Sequence, residues 1–195
     1  MKDLNEKCAI FGVFGDSEIA SRQTYFGLFA LQHRGQEYSG IASTDGKEIF
    51  SHKGQGLVTQ VYTEEMLQKL LGFSAIGHNR YSTSHGGGPE HAQPIIINNI
   101  AFAHNGNLPS VKALIDFLET KNITVGDMSD SELMAKAISI YVEEGLTLPD
   151  AVAKVYTLFT GAFSCVALSS DCLVAFRDPC GIRPLVMGKR KDKTF

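Results

Sequence analysis

The sequence predicts an α+β domain in which antiparallel sheets are covered by helices. Three pairs of strand-like segments are each joined by a short polar turn, at residues 45–46, 98–99 and 170–171. Three helix-like segments separate the second pair from the third. Because hairpins pair neighbouring strands antiparallel, this order argues against a doubly wound parallel sheet. No repeat or low-complexity linker interrupts the 195 residues, which predicts one domain.

Local patterns justify each element. The predicted order is a strand at 8–15, a helix capped by Asp16 or Ser17 and ending near His33, a hairpin at 39–52, a helix between Thr63 and Gly72, a strand at 73–80, a hairpin at 94–104, helices at 110–120, 130–144 and 149–159, and a hairpin at 163–177. Ser129 and Glu132 have the spacing of a capping box at the start of the second of the three helices. The Gly-rich polar stretch at 82–93 predicts a mobile loop.

Composition narrows the function classes. Hydrophobic residues make up 44% and charged residues 20% of the chain, as in ordinary globular proteins. A net charge of −3 argues against a nucleic-acid or membrane-surface partner, and no apolar stretch is long enough to span a bilayer. The four cysteines form no CxxC pair, which argues against a zinc ribbon and a redox dithiol. We expect a cytoplasmic protein with reduced thiols.

Cys8 is the first candidate for chemistry. It begins the first apolar run, behind seven mostly polar residues, and a buried cysteine there is usually a small core residue. A cysteine at a chain's N-terminus can also be a nucleophile whose own α-amine serves as the base. Since the nitrogen of Cys8 is an amide within the chain, this chemistry requires that residues 1–7 be removed as a leader.

Three other segments supply what acyl transfer needs. Asn105 and Gly106 follow a strand and offer a side-chain amide and a backbone N–H to an oxyanion, although they also suit a tight turn. Arg80 ends a strand and suits a substrate carboxylate, although a surface salt bridge would also explain it. Asp130 lies in the first turn of a helix, where it also complements the helix dipole.

Taken together, the motifs identify a family. The segments CAIFGVFG, ALQHRGQEYSGIA, GHNRYST, QPIII, AHNGNL, SDSE and AFRDPCGIRPL follow one another in the order of the class II glutamine amidotransferase domain, an N-terminal-nucleophile hydrolase. The chain resembles this domain over residues 8–188. Within the class, LQHRGQE and RYST are most similar to the amidophosphoribosyltransferase family and its N-terminal half. Ala9 stands where members of the family often have glycine.

The resemblance implies a fold and a set of roles. The fold would be a four-layer αββα sandwich, with two antiparallel sheets face to face and helices outside. Glutamine would be hydrolysed through a thioester on Cys8, and residues 82–88 would match the loop that closes over it. The implied site consists of the nucleophile Cys8, the oxyanion pair Asn105 and Gly106, the substrate-binding residues Arg80, Thr83 and Asp130, and the supporting residue Arg34.

The phosphoribosyltransferase half of that family has no counterpart in this chain, because no paired-acidic pyrophosphate loop is present. Residues 8–195 would therefore supply only the ammonia, and phosphoribosyl pyrophosphate would bind through the missing half of a homo-oligomeric parent protein. We expect no cofactor within this chain. Mg²⁺, with an iron–sulfur cluster as a second candidate, is expected only with the missing half.

Other readings remain open from the residues alone. The chain could be the glutaminase domain of another class II enzyme such as glucosamine-6-phosphate synthase. If residues 1–7 are retained, it could be an inactive regulatory module. A hydrolytic metal site would have to use His78, His85 and His91, which are unevenly spaced and lack a carboxylate partner.

Overall fold

The computed structural model describes residues 8–15, 19–81, 92–190 and 193–194. Its strands are β1 (Ala9–Phe14), β2 (Tyr38–Thr44), β3 (Ile49–Gln55), β4 (Ser74–Arg80), β5 (Ile95–Ile97), β6 (Ile100–Asn107), β7 (Ala162–Leu168), β8 (Leu173–Arg177), β9 (Lys189–Arg190) and β10 (Lys193–Thr194). Its α-helices are α1 (Ala20–Ala30), α2 (Val58–Val61), α3 (Glu64–Lys69), α4 (Lys112–Thr120), α5 (Asp130–Glu143) and α6 (Leu148–Val155).

The strands form two antiparallel sheets. The first has the order β3-β2-β4-β1-β10-β9 and the second the order β5-β6-β7-β8. All three predicted hairpins are present, as β2 with β3, β5 with β6, and β7 with β8. The pairing of β1 with β10, which sets Phe14 opposite Thr194, was not predicted.

Helices cover the outer face of each sheet, which gives four layers. Helix α1 packs on β1, β2 and β4 of the first sheet, whereas α5 packs on β5 and β6 of the second and is flanked by α4 and α6. Between the sheets lies a thin apolar layer that includes Ile76, Ala101, Ala103 and Val166. The αββα arrangement implied by the resemblance is confirmed.

The helix ends agree with the sequence signals in most places. Thr63 caps α3 and Ser129 caps α5 through the predicted box with Glu132. The first helix ends at Ala30 rather than near His33, because the chain continues as a 3-10 turn. The helix predicted to 159 likewise ends at Val155 and continues as a 3-10 turn.

Two of the predictions fall on residues that the structure does not describe. They are the helix cap at Asp16 or Ser17 and most of the loop at 82–93. None of the helices in the described part of the chain combines the length and the apolar character that crossing a membrane requires.

Candidate active site

The layer between the sheets is apolar at its centre and polar at one end. Alternate residues of a strand face the same side of a sheet, so His78 and Arg80 of β4 follow the buried Ile76 into this layer. On β6, Asn105 follows Ala101 and Ala103 in the same way, and its neighbour on β7 is Ser164. Pairing register therefore gathers four polar side chains at one end of an otherwise apolar interface.

Cys8 lies at this polar end. The last pair of β1 and β4 sets Ala9 opposite Asn79, so the next step along both strands brings Cys8 to Arg80. The Cys8 Sγ is 3.5 Å from the backbone nitrogen of Tyr81, which donates to it, and 3.7 Å from the Tyr81 carbonyl oxygen. The thiol therefore lies against the end of β4, beside the guanidinium of Arg80.

Arg34 holds the backbone of Cys8 on both sides. The Cys8 N–H donates to the Arg34 carbonyl at 3.0 Å, and the Arg34 Nε donates to the Cys8 carbonyl at 3.1 Å. Cys8 has a φ of 81°, in the left-handed region that non-glycine residues rarely adopt. These two hydrogen bonds place Arg34 against the Cys8 backbone, and the supporting role that the resemblance implies for Arg34 stays a prediction.

The surroundings of Cys8 favour the protonated thiol over the thiolate. Burial raises the pKa of Cys8, while the backbone of Tyr81 and the positive charges of Arg80, Arg183 and Arg34 act in the opposite direction. The net shift is upward, so at neutral pH the sulfur is protonated. A nucleophile in this position needs a neighbouring group that removes its proton.

The predicted oxyanion pair lies on β6, next to β1, the strand that directly follows Cys8. Asn105 is 3% exposed, and its Oδ1 has no hydrogen-bond partner among the described residues. A cavity of about 250 Å³ is lined by Ala9 of β1, Arg34 and Asn105, together with six other residues, all of them apolar. An added Cβ on Gly106 would lie 2.3 Å from the Ala162 carbonyl oxygen, so only glycine fits beside β7.

Asp130 begins α5 on the other side of β6, next to His104. Its Oδ1 accepts the Ser131 N–H at 2.7 Å, and its Oδ2 accepts the Leu108 N–H at 3.3 Å and lies 4.0 Å from the His104 Nδ1. The Asp130 side chain is 26% exposed, which leaves one side open to a ligand. Because His104 precedes Asn105 on β6, one strand end connects Asp130 to the predicted oxyanion residue Asn105.

Several predicted features cannot be compared with the structure. Thr83, the loop at 82–88 and the leader at 1–7 lie outside the described residues, as do His85 and His91 of the metal alternative. Within the described ranges, no three His, Cys, Asp or Glu side chains come close enough to hold a metal ion. Ala9 is 2% exposed and keeps regular pairing with Asn79, so its methyl group is accommodated.

Three residues near the site were not assigned a role from sequence. The sequence offers His78 only as a candidate metal ligand, and His104 and Arg183 lie in the family motifs without an assigned role. The electrostatic effect of Arg183 reaches both Cys8 and His104. The buried Asp178 holds the Arg183 segment by accepting its backbone N–H at 3.1 Å. The period-2 pattern of β4 and β6 was the only available signal, and it does not say which face points to the site.

His78 should make the fold sensitive to acid. It is 1% exposed, neither ring nitrogen has a partner among the described residues, and burial lowers its pKa to about 3. A histidine in the unfolded chain binds a proton near pH 6.5. The neutral, buried His78 therefore causes no loss of stability above that pH. The contribution of His78 should fall by about 1.4 kcal/mol per pH unit as the pH drops toward 3, and the buried His104, whose pKa is also lowered, adds to the slope of the whole protein.

Urea unfolding at pH 7, 6, 5 and 4 measures this slope. A His78→Leu variant should reduce it by close to one proton, while His33→Leu, at an exposed histidine, serves as the control. An unchanged slope in His78→Leu would show that His78 is not the group responsible.

Comparison with known proteins agrees with this geometry. A sequence profile of the glutamine amidotransferase domain matches residues 78–195. The chain is 41% identical to the amidophosphoribosyltransferase of Bacillus subtilis, over 98% of this chain and 41% of that protein. It is 43% identical to the amidophosphoribosyltransferase of Synechococcus elongatus, over 94% of this chain and 38% of that protein. The chain thus spans about two fifths of the length of these relatives.

Solved structures give the same result. The glutamine phosphoribosylpyrophosphate amidotransferase of B. subtilis, in complex with ADP and GMP, superposes with a TM-score of 0.81 at 38% identity, over 95% of this chain and 40% of that one. A structure described as the allosteric regulatory enzyme of purine biosynthesis superposes with a TM-score of 0.83 at 39% identity, over the same shares of the two chains. The chain belongs to the family of glutamine amidotransferase domains and has the N-terminal-nucleophile hydrolase fold.

Proposed function

We propose that this chain hydrolyses the side-chain amide of glutamine to glutamate and ammonia, with Cys8 as the nucleophile. It would be the ammonia-producing part of an amidophosphoribosyltransferase in purine (IMP) biosynthesis. The observation that carries the proposal is the convergence of Cys8, Arg34, Arg80 and Asn105 at the polar end of the inter-sheet layer. The family and the names of the relatives support the same activity.

The free α-amine of Cys8 would act as the base. It takes the proton from Sγ, and the sulfur attacks the amide carbon of glutamine. The Asn105 amide and the Gly106 N–H donate to the oxyanion of the tetrahedral intermediate. The C–N bond then breaks, the amine returns its proton to the leaving nitrogen, and ammonia departs. Water attacks the resulting thioester, which releases glutamate and restores the thiol.

Substrate recognition would use the charges at the far end of glutamine. Arg80 can donate two parallel hydrogen bonds to the α-carboxylate, and its Nη1 has no partner within the described part of the chain. The partly exposed Asp130 carboxylate can bind the α-ammonium group. Thr83 would line the pocket. Holding both charges places the amide carbon at the sulfur, so binding energy is used for orientation.

Arg80→Lys and Asp130→Asn test this recognition. Because a hydrogen bond to a charged group contributes ~1.5–3 kcal/mol, each variant should lower kcat/KM for glutamine by at least about tenfold. Iodoacetamide, a small uncharged reagent, should still alkylate Cys8 at the wild-type rate. A variant with wild-type glutaminase activity would show that its residue does not bind the substrate.

Processing is tested separately. Active protein should begin at Cys8, as measured by intact mass, because an amide nitrogen at this position cannot act as a base. A chain that retains residues 1–7 should lack glutaminase activity. Full activity in that form would exclude the α-amine mechanism.

The larger protein remains a proposal as a whole. We infer that the ammonia reacts with phosphoribosyl pyrophosphate in a part of the parent protein outside this chain. We further propose that the parent protein is cytoplasmic and forms a homo-oligomer. Mg²⁺ is the cofactor we propose for that part, with an iron–sulfur cluster as a second candidate, and none is assigned to the residues of this chain. Sedimentation and metal content of the full-length parent would test these assignments.

A further inference from the structure

A connected network of buried and partly buried polar groups lies beneath Asp130. Gln93 bonds to two elements at once: its Oε1 accepts the backbone N–H of His104 at 2.6 Å, and its Nε2 donates to the Ser131 Oγ at 3.1 Å. The Ser131 Oγ is also 3.0 Å from the His104 Nδ1 and 3.3 Å from the Asp130 Oδ1. Ser131 is therefore the point at which a loop end, a strand and a helix start meet.

Hydrogen-bond accounting fixes the direction of this network. A hydroxyl donates one hydrogen and accepts two, whereas an ionised carboxylate only accepts. The Ser131 hydroxyl already accepts from Gln93, so full satisfaction requires that it accept from the His104 Nδ1–H and donate to Asp130. The opposite orientation would leave the Ser131 oxygen facing the Asp130 oxygen with no hydrogen between them.

The ionisation of His104 is compatible with this direction. Burial lowers the pKa of His104, although the Asp130 carboxylate acts in the opposite sense. At neutral pH the ring therefore carries one proton, and Nδ1 is its only nitrogen with a side-chain partner among the described residues.

The surroundings hold the network still. Ser131 is 5% exposed and His104 is 3% exposed. The main chain at Gln93 lies directly against β2, since a Cβ added to Gly40 would be 2.0 Å from the Gln93 carbonyl oxygen. Lys53 of β3 also donates to the Ala92 carbonyl at 2.8 Å. The Gln93 amide is thus fixed relative to the first sheet, while Asp130 belongs to the helix layer of the second.

We propose that Ser131 is a positioning residue, oriented by Gln93 and His104, that aims the Asp130 carboxylate at the α-ammonium group of the substrate. The site would thereby select amides that carry an α-amino group over those that do not. This inference rests on the proposed function, in which Asp130 binds that group.

The experiment compares two substrates in the full chain. One is glutamine, and the other is 5-amino-5-oxopentanoate, which is glutamine without its α-amino group. Ser131→Ala should lower kcat/KM for glutamine about tenfold, mainly through KM, and change kcat/KM for the des-amino substrate by less than about twofold. Ser131→Thr, which keeps a hydroxyl, should restore most of the preference for glutamine.

Ser139→Ala is the matched control, because Ser139 is a buried serine on the same helix whose hydroxyl, among the described residues, bonds only to the Lys136 carbonyl of that helix. It should leave both substrates unchanged. An equal loss on both substrates in Ser131→Ala, or no loss on glutamine, would overturn the positioning role. If Asp130→Asn still prefers glutamine as wild type does, the assignment of Asp130 fails instead, and with it that part of the proposed function.

Discussion

Replacing Cys8 by alanine should abolish glutamine hydrolysis, with a loss of at least about 10⁴-fold in kcat, since no other group can form the thioester. Covalent labelling by a glutamine-like electrophile should disappear as well. Circular dichroism and thermal unfolding should remain close to those of wild type, because the Cys8 backbone contacts to Arg34 do not involve the sulfur.

The other three cysteines provide matched controls. Cys165 is fully buried in the helix-side core of the second sheet, Cys172 is partly buried, and Cys180 is exposed. Alanine at each position should leave the kcat for glutamine within about threefold of wild type, even though Cys180 will react with general alkylating reagents. If Cys180→Ala were as inactive as Cys8→Ala, the nucleophile would be misplaced.

Gly106→Ala should have the second-largest effect. The new methyl group would lie 2.3 Å from the Ala162 carbonyl oxygen and 2.7 Å from the Phe163 Cα, which are backbone atoms of the central strand β7 and cannot rotate away. The β6 backbone must therefore shift at the residue proposed to donate to the oxyanion. Loss of one such donor reduces kcat by about 10²–10³-fold, and overpacking of this kind costs ~1–3 kcal/mol of stability.

Kinetics and thermal unfolding measure the two consequences of Gly106→Ala separately. Gly188→Ala is the control, since nothing among the described residues lies within 4 Å of its added Cβ. Activity within about threefold of wild type in Gly106→Ala would show that the Gly106 N–H is not part of the oxyanion site.

Local chemistry explains why so much of the fold could be predicted. Turn residues marked the three hairpins; Asn98, for example, adopts a φ of 52°, a conformation that asparagine tolerates well. Ser129 and Glu132 predicted the start of α5 because the capping box is also a local pattern, formed by residues three positions apart. Helix α2 was missed because its four residues are too few to show a helical period. The β1–β10 pairing was missed because it joins residues 180 positions apart, Phe14 and Thr194, with no local signal.

The site was predicted unevenly for a similar reason. Cys8, Asn105 and Arg80 lie in motifs in which the residue type alone indicates a chemical role. Gln93 and Ser131 are ordinary polar residues, and their contacts with His104 depend on which face of β6 meets α5. That information is not present in the sequence of either segment, because it arises only when the second sheet receives its helix layer.

The left-handed backbone at Cys8 has a consequence for the proposed cleavage of the leader after folding. The torsion φ exists only when a residue precedes Cys8, and a non-glycine residue in this region costs roughly 1–2 kcal/mol. Once residues 1–7 are removed, as proposed, the torsion no longer exists and the cost disappears with it. This torsion, about the Cys8 N–Cα bond, immediately follows the peptide bond that the proposed maturation would cleave. Release of the torsion would thus favour the cleaved chain over the intact one by the same 1–2 kcal/mol, or roughly five- to thirtyfold, before any catalytic group has acted.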